Sequence, residues 1–325
     1  MSLPVLPGQT AESDQRVITP GKAQRPHSHM GWKRAVVLIL VHVVFIVHFI
    51  QWQTSDDLDG VRNTLSPIEP SESMFTLEQG LVNAGFVVFS IGLLSTILFG
   101  RFFCGWLCHV VALQDFCGWI MKKIGVHPKP FRSRLLIWFP LLLALYMFVW
   151  PTFRREVIAP LIGVPRVIEN QTHYVLTPTQ AAWLGEVQPL VAFQRHFIVE
   201  DFWATFPPWY VAIPFVLVIG FAIVYFLGAK GFCTYGCPYG GFFAPLDTVS
   251  PTRIRVTDDC EQCGHCTAVC TSNVRVHEEV RDFKMVVDPG CMKCLDCVSA
   301  CPNDALYLGL GAPALLKSPR SAPEV

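Results

Sequence analysis

Two stretches, CEQCGHCTAVC at 260–270 and CMKCLDCVSACP at 291–302, decide the C-terminal fold. Each carries four cysteines at the spacing Cys-x2-Cys-x2-Cys-x3-Cys. This is the bacterial two-cluster arrangement, in which the fourth cysteine of each run ligates the other run's cluster. Tight turns let three thiolates cap one face of a 4Fe-4S cubane, and a distant fourth closes it. The spacing therefore assigns Cys260, Cys263, Cys266 and Cys301 to cluster one, and Cys291, Cys294, Cys297 and Cys270 to cluster two. Zinc sites use cysteine pairs with a longer gap, and two complete four-cysteine runs in tandem are far more specific for iron. Thr271 stands where such runs usually have Pro, but that Pro is not a ligand. Two adjacent clusters suit one-electron transfer, and nothing in the module reads as a substrate pocket.

Upstream, the chain changes character. Of 325 residues, 52% are hydrophobic and 15% charged, where soluble domains carry about 25% charged residues. Mean hydropathy is +0.41. Disordered, collagenous and ordinary cytosolic classes are excluded. Lys and Arg total 25 against 25 acids, so no basic excess points to nucleic acid. Four stretches approach the roughly 20 apolar residues a membrane span needs: 32–52, 80–99, 135–150 and 209–227. Trp and Tyr at their ends fit an interfacial belt. Arg16, Lys22, Arg25, Lys33 and Arg34 accompany the first span, and Arg101, Lys122, Lys123, Lys129, Arg132 and Arg134 fall between the second and third. The loop after the first span is acidic instead, with Asp56, Asp57, Asp59, Glu69, Glu72 and Glu78. The charge rule for loops then places both termini and the ferredoxin module in the cytoplasm, and loops 53–79 and 151–208 across a bacterial inner membrane. The first span reads as an uncleaved signal anchor.

The expected architecture is a mainly α membrane protein. Four transmembrane helices form two pseudo-repeated hairpins, followed by an α+β two-cluster ferredoxin module. The divisions are a disordered cytoplasmic lead at 1–31, a membrane domain at 32–250, the ferredoxin at 251–310 and a flexible tail at 311–325.

Five cysteines lie outside the ferredoxin, among thirteen in all: Cys104, Cys108, Cys117, Cys233 and Cys237. Cys104-x3-Cys108 follows the second span and Cys233-x3-Cys237 follows the fourth. A basic residue precedes each pair (Arg101, Lys230) and an acid follows each (Asp115, Asp247). Pseudo-symmetric packing brings the four thiols together, as a metal site, a third cluster, redox dithiols or buried packing. Cys117 has no such partner and reads as packing. Concentrated metal-spaced thiols imply a reducing compartment.

Two Cys-x3-Cys motifs at span ends, followed by a two-cluster ferredoxin, resemble the polyferredoxin-type membrane iron–sulfur proteins. That family includes NapH, the C-terminal half of NosR, MauN and the CcoG/FixG assembly proteins, and the layout over about 33–305 is most similar to NapH. The resemblance implies electron transfer between the quinone pool, iron–sulfur clusters and other redox subunits of a respiratory system, or copper handling in the oxidase-assembly branch. The family motif is usually Cys-x3-Cys-Pro; Pro238 keeps it, whereas His109 replaces it in the first copy.

His42 and His48 lie within the first span and are candidate quinol or haem contacts. Six residues apart, they stand about 240° apart around a helix and do not share a face. His109 is either a ligand beside Cys108 or an interfacial polar group. In the outer loop, His173, Trp183, Arg195 and His196 are candidates for partner docking or a quinone entrance. The expected function is electron transfer from quinol or a cytoplasmic donor to a respiratory reductase system. The rival is a maturation factor that reduces or loads a metal such as copper. Membrane lipid, the quinone pool and redox subunits are the expected partners.

Overall fold

The computed structural model describes residues 28–316 apart from 56–59, 61, 70–72, 75, 77–79, 129–130, 169, 188–192 and 201–206. Most of the expected lead and tail, and the acids Asp56, Asp57, Asp59, Glu72 and Glu78, lie outside the described residues.

Helix α1 (Met30–Thr54) is a run of Val, Ile, Leu and Phe with no proline to interrupt its hydrogen-bond ladder. After strands β1 (Thr64–Leu65) and β2 (Leu81–Val82) comes α2 (Ala84–Phe99). Two helices follow without a span between them, α3 (Phe102–Trp106) and α4 (His109–Lys123). Next is α5 (Leu136–Ile162), with prolines at 140, 151 and 160. Proline removes a backbone donor and clashes one turn back; π-helical turns at Leu145–Val149 and Arg154–Ile158 absorb the mismatch. An outer hairpin, β3 (Val164–Ile168) with β4 (Gln171–Val175), leads to α6 (Pro178–Leu184), β5 (Gln194–Arg195) and β6 (Ile198–Val199). Helix α7 (Trp209–Leu227) holds Pro214 in its second turn and widens over Val216–Ala222. Helices α8 (Gly231–Tyr235) and α9 (Pro238–Val249) repeat the α3–α4 arrangement.

Among the described residues, three helices are long and apolar enough to cross a membrane: α1, α5 and α7. The expected second span is shorter than its apolar stretch. Leu81 and Val82 pair with Gln194 and Arg195 instead, and the Asn83 side chain caps α2 by accepting from the Phe86 N–H at 2.9 Å. The remaining 16 residues reach roughly 24 Å, against a hydrocarbon core of about 30 Å. The third stretch is longer than expected: α5 continues past Trp150 into the polar Arg154–Arg155–Glu156 segment. Bulky apolar side chains stay exposed along all four helices, among them Ile39, Leu94, Leu142 and Leu217. A band of that size marks a surface made for lipid.

The four helices alternate in direction. Arg34 near the start of α1 pairs with Asp296 at 3.0 Å, and Asn273 donates to the Leu227 carbonyl at the end of α7 at 2.8 Å. Arg101, just past α2, donates to the Pro289 carbonyl at 2.8 Å, and Arg134, just before α5, pairs with Glu279. The opposite ends meet the loop layer: β1 pairs with β6, β2 with β5, and Trp52 donates to the Glu200 carbonyl.

The C-terminal module pairs β7 (Arg253–Val256) antiparallel with β8 (Leu306–Gly309). Short helices α10 (His265–Ala268) and α12 (Asp296–Ser299) follow the two cysteine turns, and α11 (Val276–Phe283) lies between them. Ile254, Val274, Val280, Val286 and Leu306 form its core with Cys291 and Cys297.

Candidate iron–sulfur sites

The two cysteine turns share one backbone solution. In the first, Gln262 (φ 55°) and Gly264 (φ 77°) flank Cys263; in the second, Lys293 (φ 50°) and Leu295 (φ 63°) flank Cys294. Left-handed residues on both sides of the middle cysteine curl the chain around a single centre. For non-glycine residues this costs of order 1–2 kcal/mol each, a cost that metal–thiolate bonds are suited to offset. Cys260, Cys263, Cys266 and Cys301 wall one pocket together with His277 and Leu306. Burial, reinforced by Cys263, Cys260 and Cys301, pushes the Cys266 thiol up to about 12. In the second group, burial raises Cys270 and Cys297, with Cys291 and Cys294 adding to both. Thiols so placed stay protonated alone and ionise against a cationic iron group. The two groups differ in exposure. Cys291, Cys294 and Cys297 are buried, whereas all four cysteines of the first group are only half-buried.

The remaining pairs form a third group. In each copy the span ends at a left-handed glycine, Gly100 (φ 69°) or Gly228 (φ 95°). A basic residue, Arg101 or Lys230, then caps a five-residue helix whose third residue is the first cysteine, Cys104 or Cys233. The second cysteine, Cys108 or Cys237, is the N-cap of the helix that follows. These following helices cross over. Helix α4 of the first copy packs on α7, where Gln114 donates to the Ile219 carbonyl and Cys117 abuts Gly220. Helix α9 of the second copy packs on α2 and α5 through Phe243–Phe89 and Tyr239–Phe148.

The exchange brings all four thiols together, each within electrostatic reach of the other three. Burial pushes Cys108 up to about 12 and Cys237 to about 11, and it raises Cys104 and Cys233 as well. The Gly240 N–H donates to the Cys237 sulfur at 3.4 Å, and Cys233 donates to Gln114 Oε1 at 3.2 Å. Two helix N-termini therefore face the group, which favours negative charge there. Arg101 is 1% exposed, and its Nε has no hydrogen-bond partner among the described residues. A buried guanidinium with one unpartnered N–H beside four thiols fits an anionic metal–thiolate group. Among the described residues no three Cys, His, Asp or Glu side chains converge as donors to a single ion.

Most of the candidate histidines stand apart. His42 Nδ1 lies 2.7 Å from its own helix's Leu38 carbonyl, while His48 is buried toward β1, with its carbonyl accepting from Thr64. His109 Nε2 lies 4.0 Å from Glu69, and its ring meets Phe45. His173 lies in β4 opposite Arg166, Arg195 lies in β5, the His196 N–H donates to the Val82 carbonyl, and Trp183 is 88% exposed on α6. Among the described residues His42 and His109 lie within electrostatic reach of each other, both rings meeting Phe45, while the others are not brought to that pair. Sequence reasoning noticed Arg101 and Lys230 only as span-end charges, and it missed Gln114. The signal available was their matching or adjacent position in the repeat.

Residues 83–127 and 210–256 both match the family described as a 4Fe-4S binding domain, and 259–306 match a 4Fe-4S dicluster domain. The chain is similar to YccM of Escherichia coli, 21% identical over 306 residues, covering 88% of this chain and 77% of the relative. It is similar to the ferredoxin-type protein NapH of Haemophilus influenzae, 23% identical over 233 residues, covering 68% and 65%. It also matches the regulatory protein NosR of Stutzerimonas stutzeri, 24% identical over 276 residues, covering 81% and 32%. No solved structure matches.

Fold, cysteine groups and comparisons together define a transmembrane iron–sulfur electron-transfer protein. The matched domains and relatives support a likeness to the polyferredoxin-type proteins, with a NapH-like layout.

Proposed function

We propose that the chain carries single electrons through three 4Fe-4S clusters. Cluster one is held by Cys260, Cys263, Cys266 and Cys301, cluster two by Cys291, Cys294, Cys297 and Cys270, and a third by Cys104, Cys108, Cys233 and Cys237. The clusters supply the one-electron chemistry; the chain's own residues hold them at fixed spacing and exclude water. The convergence of two distant Cys-x3-Cys copies on one buried group carries this reading. In the proposed topology α2 completes two hairpins with α1, α5 and α7, and the ferredoxin faces the cytoplasm of a bacterial inner membrane. Basic Arg101, Arg132 and Arg134 on the ferredoxin side support that sidedness. Electrons pass between the quinol pool, or a cytoplasmic donor, and redox subunits of a respiratory system.

The test is anaerobic iron and EPR quantitation of the purified chain, with and without quinol. About twelve irons support three cubanes, and loss of one signal in Cys233→Ser with the other two intact assigns the third. About eight irons, unchanged in Cys233→Ser, would sink the third cluster. Turnover with a cytoplasmic donor and copper, without quinol-dependent reduction, would favour metal loading.

A further inference from the structure

The membrane-domain cysteine group meets the ferredoxin closely beside Gly105. Gly105, between Cys104 and Cys108, lies so close to the ferredoxin that a Cβ there would sit 2.4 Å from the Met292 carbonyl. Trp106 Nε1 donates to the Lys293 carbonyl at 3.0 Å. Met292, wholly buried, packs in the same cluster as Cys104, Cys108 and Cys233. Both contacts land on the turn of Cys291 and Cys294, which belongs to cluster two.

Two cations fill this junction. Arg101 donates to the Pro289 carbonyl at 2.8 Å and to the Cys233 carbonyl at 3.3 Å. Its guanidinium stands beside Cys104. Lys230 is 0% exposed; its Nζ donates to Thr271 Oγ1 at 3.0 Å, and that hydroxyl lies 3.6 Å from the Cys294 sulfur. Lys230 also lies within electrostatic reach of Cys233. The nearby carboxylates are already engaged. Asp247 takes Lys293 at 2.8 Å and Arg253 at 2.9 Å, and Asp296 takes Arg34 at 3.0 Å. Asp288 accepts from the Gly290 N–H, and burial raises its carboxyl toward the neutral form. Neither Arg101 nor Lys230 has a carboxylate in ion-pair contact among the described residues. A buried charge without a counter-charge is costly. Asp288 lies within electrostatic reach of Arg101, and Asp296 of Lys230, without an ion pair to either. The four-cysteine group lies beside both cations, and on the other side Arg101 meets the Pro289 carbonyl and Lys230 reaches Cys294 through Thr271.

We infer that Arg101 and Lys230 are counter-cations shared by the four-cysteine site and cluster two, making those two the directly coupled pair in the electron path. The inference rests on the reading that the four cysteines hold a cluster. One electron leaves one cubane and enters the other; no bond forms or breaks and no proton moves. The summed charge facing the two cations is the same before and after, so they need not rearrange. Cluster one stands outside this pair.

The test is a redox titration followed by EPR on the full-length protein. In Lys230→Met, loss of a cation disfavours the more negative reduced clusters, so cluster two and the third cluster titrate at lower potential. Cluster one stays in place, and Lys230→Arg restores the wild-type order. Unmoved potentials, or an equal shift of all clusters that Arg does not rescue, would overturn the role. Should Lys230→Met fail to assemble, the wild type still decides. The reduced third cluster must show spin–spin broadening with cluster two, and broadening with cluster one alone overturns the assigned pair. Iron content keeps the two failures apart: about eight irons would remove the third cluster itself, whereas about twelve with unmoved potentials removes only the shared cations.

Discussion

The ferredoxin and the membrane cysteine group reach a similar end by opposite routes. In the ferredoxin, three cysteines of each set come from seven consecutive residues, and left-handed backbone at Gln262 and Gly264, or Lys293 and Leu295, does the converging. In the membrane domain each copy contributes only a pair, and packing of α4 on α7 and of α9 on α2 and α5 does it. The first design is local and strained; the second is long-range and relaxed. They should therefore respond differently to the same insult.

Iron removal separates them most. The ferredoxin core is small, and its cysteines are part of it. Anaerobic chelation is expected to abolish protease resistance across residues 251–309 while the helical signal of the spans persists. A module that stays resistant without iron would erase the contrast. Next comes Asp247→Asn. Asp247 is fully buried and joins Lys293 of the ferredoxin to Arg253 and to the Arg101 backbone N–H. Breaking a buried ion pair on one side costs about 3–5 kcal/mol, read as a fall in the thermal midpoint of the holoprotein. A change below about 1 kcal/mol would mean that Asp247 behaves as a surface pair. The mildest perturbation is Gly105→Ala. Its methyl group meets the Met292 carbonyl, which is rigid backbone, so the ferredoxin must back away. The expectation is slower electron exchange between the two regions with iron content unchanged. An unaltered rate would show that the electron does not cross there.

The same contrast explains what the sequence revealed. Three cysteines of each ferredoxin set are local in sequence, so spacing alone was enough to propose the two sets. The Cys-x3-Cys repeat was visible because each copy sits in the same local context, but its crossed packing depends on Gln114 and Phe243 meeting partners far along the chain. Span limits were harder. Composition could not show that Leu81 and Val82 pair with residues 194–195, which shortens α2. Nor could it show that widened turns carry α5 through Pro151. Charge burial was least legible of all. Arg101 and Lys230 looked like ordinary span-end cations, and only the tertiary arrangement shows how little of either remains exposed.

The α1 contact at Arg34 also bears on biogenesis. Arg34 emerges from the ribosome early, yet its partners Asp115 and Asp296 follow much later, the second near the end of the described chain. Ser28 binds the same Asp296. The earliest described helix is thus tied to the second of the two described cysteine turns. A nascent chain that has not yet reached residue 296 holds its first helix with only the Asp115 half of this polar anchor.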